Sequence, residues 1–316
     1  MRLFSLSILV VAAFAASLLL PWASLGALDR DLALAVLTEL RLPRALLALI
    51  YGATLGASGA AVQALFANPL ASPDLTGTTS GAALGAVLTA YILGFTAPLA
   101  LAFGAVGGAL AALLLLLALA GARAETATLL LAGLAISALA GALTTLALAL
   151  APSPFAFYDA YEWLMGSLVD RSQEQTAFAA VPAFVSLLLL LRSRAALDSL
   201  TLGEEVAQSF GHDVRRLRLL VVAATALGVG ACVAICGAIG FIGLVAPIFA
   251  RRLTGGFPGR AVAPAALIGA ALLLAADLAV RLAPLGRTLP IGVLTALLGA
   301  PFFLWLVAHR RWRLAR

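Results

Sequence analysis

The sequence contains no lysine: all 20 of its basic residues are arginine. A nucleotide-binding P-loop uses a lysine to reach the phosphates, so this chain holds no Walker A motif of its own. Charge of either sign is scarce, at 11% of residues, where a soluble protein carries about 25%. The 14 acidic and 20 basic side chains are too few to coat several water-facing domains. Histidine is nearly absent too. His212 falls in a polar loop and His309 at the C-terminal membrane edge. No span therefore offers a histidine to serve a serine nucleophile or bind a catalytic metal, which argues against an intramembrane hydrolase. Cys232 and Cys236 lie four residues apart in one apolar run, a spacing that shares one helical face and makes no disulfide framework. They read as small hydrophobes. A redox or soft-metal pair is the alternative, and it would want histidine or further cysteine nearby.

What the sequence does contain is apolar surface: 63% of its residues are hydrophobic. A membrane span needs about 20 such residues, and ten stretches qualify, near 3–25, 44–66, 75–94, 97–120, 127–150, 175–192, 216–236, 241–253, 262–283 and 290–308. The expected fold class is an all-α polytopic membrane protein with one permease-like domain over 1–316. The eighth stretch is short and holds Pro247, so a broken or half-crossing helix is expected there, shielded from lipid by its neighbours. The formal charge of +6 does not point to nucleic acid, because the arginines punctuate apolar runs and form no dense stripe.

Arg2 ahead of an apolar run, with Ala-Ser-Leu-Gly-Ala near its end, resembles a signal peptide. The nine further spans favour a retained first helix. With ten spans and the N-terminus inside, 14 arginines face inward and Arg30, Arg41, Arg44, Arg171, Arg281 and Arg287 face outward. The positive-inside rule then puts both termini in the cytoplasm. Gly52, Gly56 and Gly59, then Gly77, Gly81 and Gly85, then Gly237, Gly240 and Gly243 recur at spacings of three or four. Such faces let helix backbones approach in lipid; a glycine-lined conduit is the alternative.

Asp277 is the one acidic residue read within a span, and Arg281 one turn later supplies an ion-pair partner. A proton- or sodium-driven carrier would want several carboxylates along a path. On the cytoplasmic side, 193–215 forms the most polar internal segment, with Glu204 to Phe210 expected as a short helix between Gly203 and Gly211. It is either a solvated connector or a compact knob for a partner's cleft. On the outer side, Arg41-Leu-Pro-Arg44 presents two permanent charges, which either snorkel at the membrane edge or form a patch for an acidic soluble partner.

Ordered segments along residues 41–309 resemble the FecCD-type permeases, the membrane subunits of type II ATP-binding-cassette importers. They are Arg41-Leu-Pro-Arg44, Gly52-Ala-Thr-Leu-Gly-Ala-Ser-Gly59, Gln63, Asn68-Pro-Leu-Ala-Ser-Pro73, Thr79-Ser-Gly-Ala82, Leu131-Ala-Gly133, Trp163-Leu-Met-Gly-Ser167, Leu202-Gly203 with Ala207 and Gly211, Gly240-Phe-Ile-Gly-Leu-Val-Ala-Pro247 with Arg251, Leu289-Pro-Ile-Gly292 and Gly299-Ala-Pro-Phe-Phe303. The resemblance implies a multi-pass protein of the bacterial inner membrane, importing a metal chelate: iron-siderophore first by family frequency, then haem or cobalamin. Its implied partners are a second permease copy or close paralogue, a periplasmic binding protein and two ATPase subunits that hold the ATP-Mg. No cofactor is expected on this chain itself. By the same resemblance, Arg41, Arg44 and Arg281 dock the binding protein, and Asn68, Leu70, Thr126 and Ala127 belong to a cytoplasmic gate. Leu202, Gly203, Glu204, Ala207 and Gly211 couple to the ATPase. Three departures stand out: Ile248 where the family commonly has histidine, Thr288 where it has glutamate, and Gly256-Phe-Pro-Gly259 in place of a charged cluster. The rival reading is a secondary transporter or channel working without ATP.

Overall fold

A computed structural model describes residues 2–21, 28–120, 126–151, 153–283 and 289–314, and among these the secondary structure is helical throughout. The chain runs α1 (Arg2–Leu19), α2 (Arg30–Ala35), α3 (Leu42–Leu65), α4 (Thr78–Tyr91), α5 (Pro98–Ala120), α6 (Thr126–Ala149) and α7 (Pro154–Leu164). It continues with α8 (Gln173–Arg192), α9 (Arg194–Ser199), α10 (Glu204–Ser209), α11 (Val214–Cys236), α12 (Ile242–Leu253), α13 (Val262–Leu282) and α14 (Ile291–Leu314). Six helical stretches are long and apolar enough to cross a membrane, and Leu3–Leu19 and Ile291–Trp305 are shorter apolar helices. With α4 and α12 these make up the ten apolar segments expected.

The ends of these helices follow local chemistry. Pro154 begins α7 behind Ser153, whose hydroxyl accepts from the Ala156 amide at 3.2 Å. A capping box starts α8, in which Ser172 accepts from Gln175 N at 3.1 Å and Gln175 Oε1 accepts from Ser172 N at 3.0 Å. Asp213 caps α11 through the Arg216 amide. A π-helical turn, Val36–Arg41, joins α2 to α3, so that residues 30–65 form one continuous rod. The first apolar stretch is shorter than expected: α1 ends at Leu19, and residues 22–27 lie outside the described set. Two helices had no counterpart in the hydropathy pattern, α2 and the amphipathic α7, because neither is long enough to register as a span.

Helix α3 is the axis of the molecule, packed against α8, α11, α12 and α13. The glycine stripes make this possible. A methyl group at Gly52 would strike the Gly269 carbonyl, one at Gly56 the Ala265 carbonyl, and one at Gly59 the Gly243 carbonyl. Gly81 and Gly85 meet Gly108 and Gly104 on α5 in the same way. These are backbone-to-backbone contacts, the form of packing that holds helices together where lipid supplies no hydrophobic drive.

Two helices are interrupted inside the bundle. Only 14 residues long, α4 follows the loop 66–77, and the 12-residue α12 follows the loop 237–241. At about 1.5 Å per residue neither spans an apolar layer of about 30 Å alone. Their exposed backbone groups are met by protein. Tyr51 donates its hydroxyl to Gly237 O at 3.1 Å, Trp163 donates Nε1 to Ala234 O at 3.2 Å, and Gln63 donates Nε2 to Leu244 O at 3.4 Å. Asp74 ties the two interruptions together. Its Oδ1 accepts from Thr79 Oγ1 at 2.8 Å and its Oδ2 from Phe241 N at 3.0 Å. Phe241 sits in the left-handed region, at φ 65°, a conformation that costs a non-glycine residue about 1–3 kcal/mol and persists when its surroundings hold it. Asp277 is therefore not the sole carboxylate serving the interior, as the sequence had implied.

Two outcomes are expected on thermal unfolding in detergent. Replacing Gly56 by leucine should destabilise the protein by at least about 2 kcal/mol through overpacking, while Gly107→Ala, with nothing within 4 Å of the added methyl, should be neutral within about 0.5 kcal/mol. Removing the Asp74 carboxylate with alanine should cost about 1–3 kcal/mol by stranding the Phe241 amide; an unchanged unfolding temperature would show that the two loops are held by other contacts.

Candidate functional site: an arginine-lined mouth, a buried asparagine loop and a helical knob

The expected outer residues converge. Arg41, Arg44 and Arg281 line one cavity of about 520 Å³, together with Glu39, Asp170 and Arg171. Asp277 organises it from below. Fully buried, it accepts Arg44 Nε on Oδ1 at 2.7 Å and Arg281 Nε on Oδ2 at 3.0 Å. The i,i+4 pair expected within α13 is present, and Arg44 from α3 joins it. Arg281 then donates Nη1 to the Ser17 carbonyl and Nη2 to the Ser17 hydroxyl, both at 2.8 Å. Arg41, 8% exposed, donates Nη1 to Leu18 O at 2.9 Å and Nη2 to Pro21 O at 3.3 Å. Two guanidiniums therefore cap the C-terminal carbonyls of α1, where a helix leaves acceptors unsatisfied and cations are favoured. Of the three, Arg44 alone keeps its terminal nitrogens outside any hydrogen bond among the described residues.

The loop that carries the expected gate residues Asn68 and Leu70 follows α3 through Ala67, which has a φ of 46°. Asn68 is buried. Its Oδ1 accepts from the Leu70 amide at 2.9 Å and fixes an Asx-type turn, while its Nδ2 has no partner among the described residues. Leu70 is half-buried beside it. The same loop rests on α6, where Ser137 Oγ donates to Asp74 O at 3.2 Å and a methyl at Gly133 would strike the Leu75 carbonyl. Thr126 and Ala127 open α6, and their side chains lie outside the described residues.

On the other side, α9, a 3₁₀ turn at Leu200–Leu202 and α10 form the knob expected over 193–215. Gly203 (φ 103°) and Gly211 (φ 82°) bracket α10, both in the region that glycine enters without a Cβ penalty. Ala207 is buried against the rest of the knob, and its carbonyl accepts the His212 amide at 3.1 Å. Leu202, Val206 and Phe210 are exposed, so the knob offers an apolar tip. Glu204 pairs with Arg218 on α11. Asp198 accepts the Gly259 amide at 2.7 Å, anchoring the knob to the turn before α13. The sequence had not singled out Asp198, Asp74 or Ser17, since each acts on a backbone or side chain remote in the chain.

The known proteins that this chain resembles share one type. A family model described as the FecCD transport family matches residues 2–309. The chain is 40% identical over 300 residues to the vitamin B12 import system permease protein BtuC of Vibrio cholerae serotype O1, covering 92% of this chain and 86% of that protein. It is 42% identical over 316 residues to the protein of the same name from Shigella boydii serotype 18, covering 98% and 95%. Among solved structures, a metal-chelate type ABC transporter in an inward-facing conformation superposes with a TM-score of 0.85 at 33% identity, over 98% of this chain and 99% of that one. Membership follows from the near-complete match to the family model and from the sustained identity to these relatives: the chain belongs to the FecCD transport family.

Proposed function

We propose that this chain is the membrane permease of an ATP-driven importer of vitamin B12 or a related corrinoid. The observation that carries the reading is the 40–42% identity, sustained over 92–98% of the chain, to proteins named as vitamin B12 import permeases. That likeness reverses the order taken from family frequency, in which iron-siderophore came first. ATP hydrolysis belongs to a separate subunit, in keeping with the missing lysine.

Two copies, or this chain and a close paralogue, would enclose the path, with both termini in the cytoplasm. The exposed leucines of α6, among them Leu131, Leu139 and Leu146, are the face available to the second copy. A periplasmic binding protein would dock on the outer arginines through its acidic residues, and two ATPase subunits would grip the knobs at Leu202–Gly211. Nucleotide binding would then favour one of two permease states over the other. The gate loop, held to α12 by Asp74, is placed to move with that helix.

Reconstituted with its ATPase and binding protein, the permease should concentrate radiolabelled cobalamin into liposomes only with ATP, and should not take up ferric siderophores. Uptake that persists without the ATPase subunit would make the chain a secondary transporter and overturn the proposal. Replacing Phe210 by aspartate should abolish co-purification with the ATPase while leaving the fold intact, since that residue is 65% exposed. Within the mouth, Arg44→Glu should weaken binding-protein association about tenfold, most strongly at low salt, and should also lower thermal stability, because it removes a partner from the buried Asp277. Arg41→Glu should lower thermal stability with little change in affinity, because it removes the cap on α1; a loss of affinity equal to that of Arg44→Glu would show that Arg41 also contacts the partner.

A further inference from the structure

One arginine of the outer face has no assigned work. Arg171 lies in the loop 165–172, between α7 and α8, after Asp170, whose φ is 55°. The loop is held by tight backbone approaches. Ser167 N donates to Cys236 O at 2.8 Å, and a methyl at Gly166 would strike the Ala238 carbonyl. Among the described residues, Arg171 alone lines both the mouth cavity of about 520 Å³ and a second, smaller cavity of about 250 Å³. The smaller cavity is bounded by Tyr91, Trp163, Gln175 and Ile235, with Asp159 on the α7 side. Among the described residues Arg171 makes no hydrogen bond and no ion pair, and its Nε is cut off from solvent without a partner. Its neighbours differ sharply: Arg41 and Arg281 are committed to α1, and Arg44 to Asp277.

An unpartnered guanidinium is costly in an apolar setting and finds its acceptors elsewhere. The acidic residues at hand do not supply them. Glu39 is engaged by Gln173 Nε2 at 3.0 Å, and neither Asp159 nor Asp170 comes within ion-pair distance of Arg171. The fork of a guanidinium matches a phosphate or carboxylate in two parallel bonds. The amino end of the 20-residue α8, two residues on, adds positive potential to the same spot.

We propose that Arg171 is a substrate-contacting residue, which holds an anionic oxygen-bearing group of the phosphodiester class as the substrate passes between the larger cavity and the smaller one. Only the substituent needs to enter the smaller cavity; the bulk of the chelate stays in the mouth. The assignment rests on the corrinoid reading, because cobalamin carries one phosphodiester and cobinamide lacks it.

The test is uptake by the complete importer in liposomes, with cobalamin and cobinamide as probes. Arg171→Ala should lower cobalamin uptake about tenfold and cobinamide uptake less than about twofold, and Arg171→Lys should restore part of the difference. Equal loss for both probes, or none for either, would overturn the assignment. Were the wild-type importer to carry neither probe, the corrinoid reading would fall by itself, and a second measurement decides Arg171. In the nucleotide-free permease–ATPase complex in detergent, titration with diethyl phosphate should quench Trp163 saturably, and this response should vanish in Arg171→Ala. A response identical in that variant, or missing from the wild type, counts against the site. So does a phospholipid that co-purifies with the wild type and is lost from Arg171→Ala, which would give the anion to the membrane.

Discussion

Close approach of helix backbones is the constraint on which this molecule depends. In water a helix joins its neighbours by burying apolar side chains, but lipid tails are as apolar as leucine, and that drive disappears. What remains is dispersion between surfaces that fit, and a backbone can touch a backbone only where no Cβ intervenes. Helix α3 shows the consequence. Gly52, Gly56 and Gly59 face, in order, Gly269, Ala265 and Gly243, so one stripe positions both α13 and α12. Everything at the outer mouth inherits this geometry. Arg44 stands at the start of α3 and Asp277 near the end of α13, and their 2.7 Å bond is possible because the helices below it are already in contact.

The same close contacts permit helices to break inside the membrane. An interrupted helix exposes amide and carbonyl groups that lipid cannot satisfy. Here the loops 66–77, 165–172 and 237–241 satisfy one another and are packed by glycine: Gly166 against Ala238, Gly237 against Trp163, and Gly292 against both Met165 and Ala238. Asp74 closes the set by accepting from the Thr79 hydroxyl at the start of α4 and from the Phe241 amide. A transporter gains from this arrangement. A continuous helix moves as a rod, whereas a half-helix anchored at a hydrogen-bonded loop can tilt with the element that carries it. The buried Asn68 turn and the left-handed Phe241 sit on the two loops that Asp74 joins, so α12 is coupled to the Asn68 loop through one carboxylate.

This division explains what could be read from the sequence and what could not. Apolar run length located the spanning helices to within a few residues, because run length is set by the bilayer and owes nothing to tertiary contacts. Glycine spacing marked the packing faces of α3 and of Gly81 and Gly85 on α4 for a similar reason, since three- and four-residue repeats are properties of one helix; Gly237 and Gly240, expected on one helical face with Gly243, instead lie in the loop before α12, Gly237 at a φ of 71°. The knob over 193–215 was legible from Gly203 and Gly211. Residues whose role is made by distant segments were not. Asp74 sits one position before an expected span and reads as a loop charge until Phe241 is placed beside it. Arg171 was one outward arginine among six, and unlike Arg41, which the Arg41-Leu-Pro-Arg44 pattern singled out, it carried no local mark. Pairing decides the difference, and pairing with Ser17, Leu18 and Asp277 joins residues some 20 to 260 positions apart in the chain.

The absence of lysine also acquires a physical sense at this mouth. Arg281 uses three nitrogens on three acceptors, the Asp277 carboxylate, the Ser17 carbonyl and the Ser17 hydroxyl. Arg41 divides two more between Leu18 and Pro21. A planar fork with five fixed donors can satisfy acceptors that lie on different helices at once. An ammonium is a single strongly hydrated point on a flexible stem; placed here, it would meet one or two of these groups and keep water for the rest. Fork geometry thus allows one buried carboxylate to organise α1, α3 and α13 without balancing their charge. With Asp277 beneath it, four arginines against three carboxylates leave the mouth net positive, and of the four that line it, Arg44 and Arg171 are the ones whose terminal nitrogens make no hydrogen bond among the described residues.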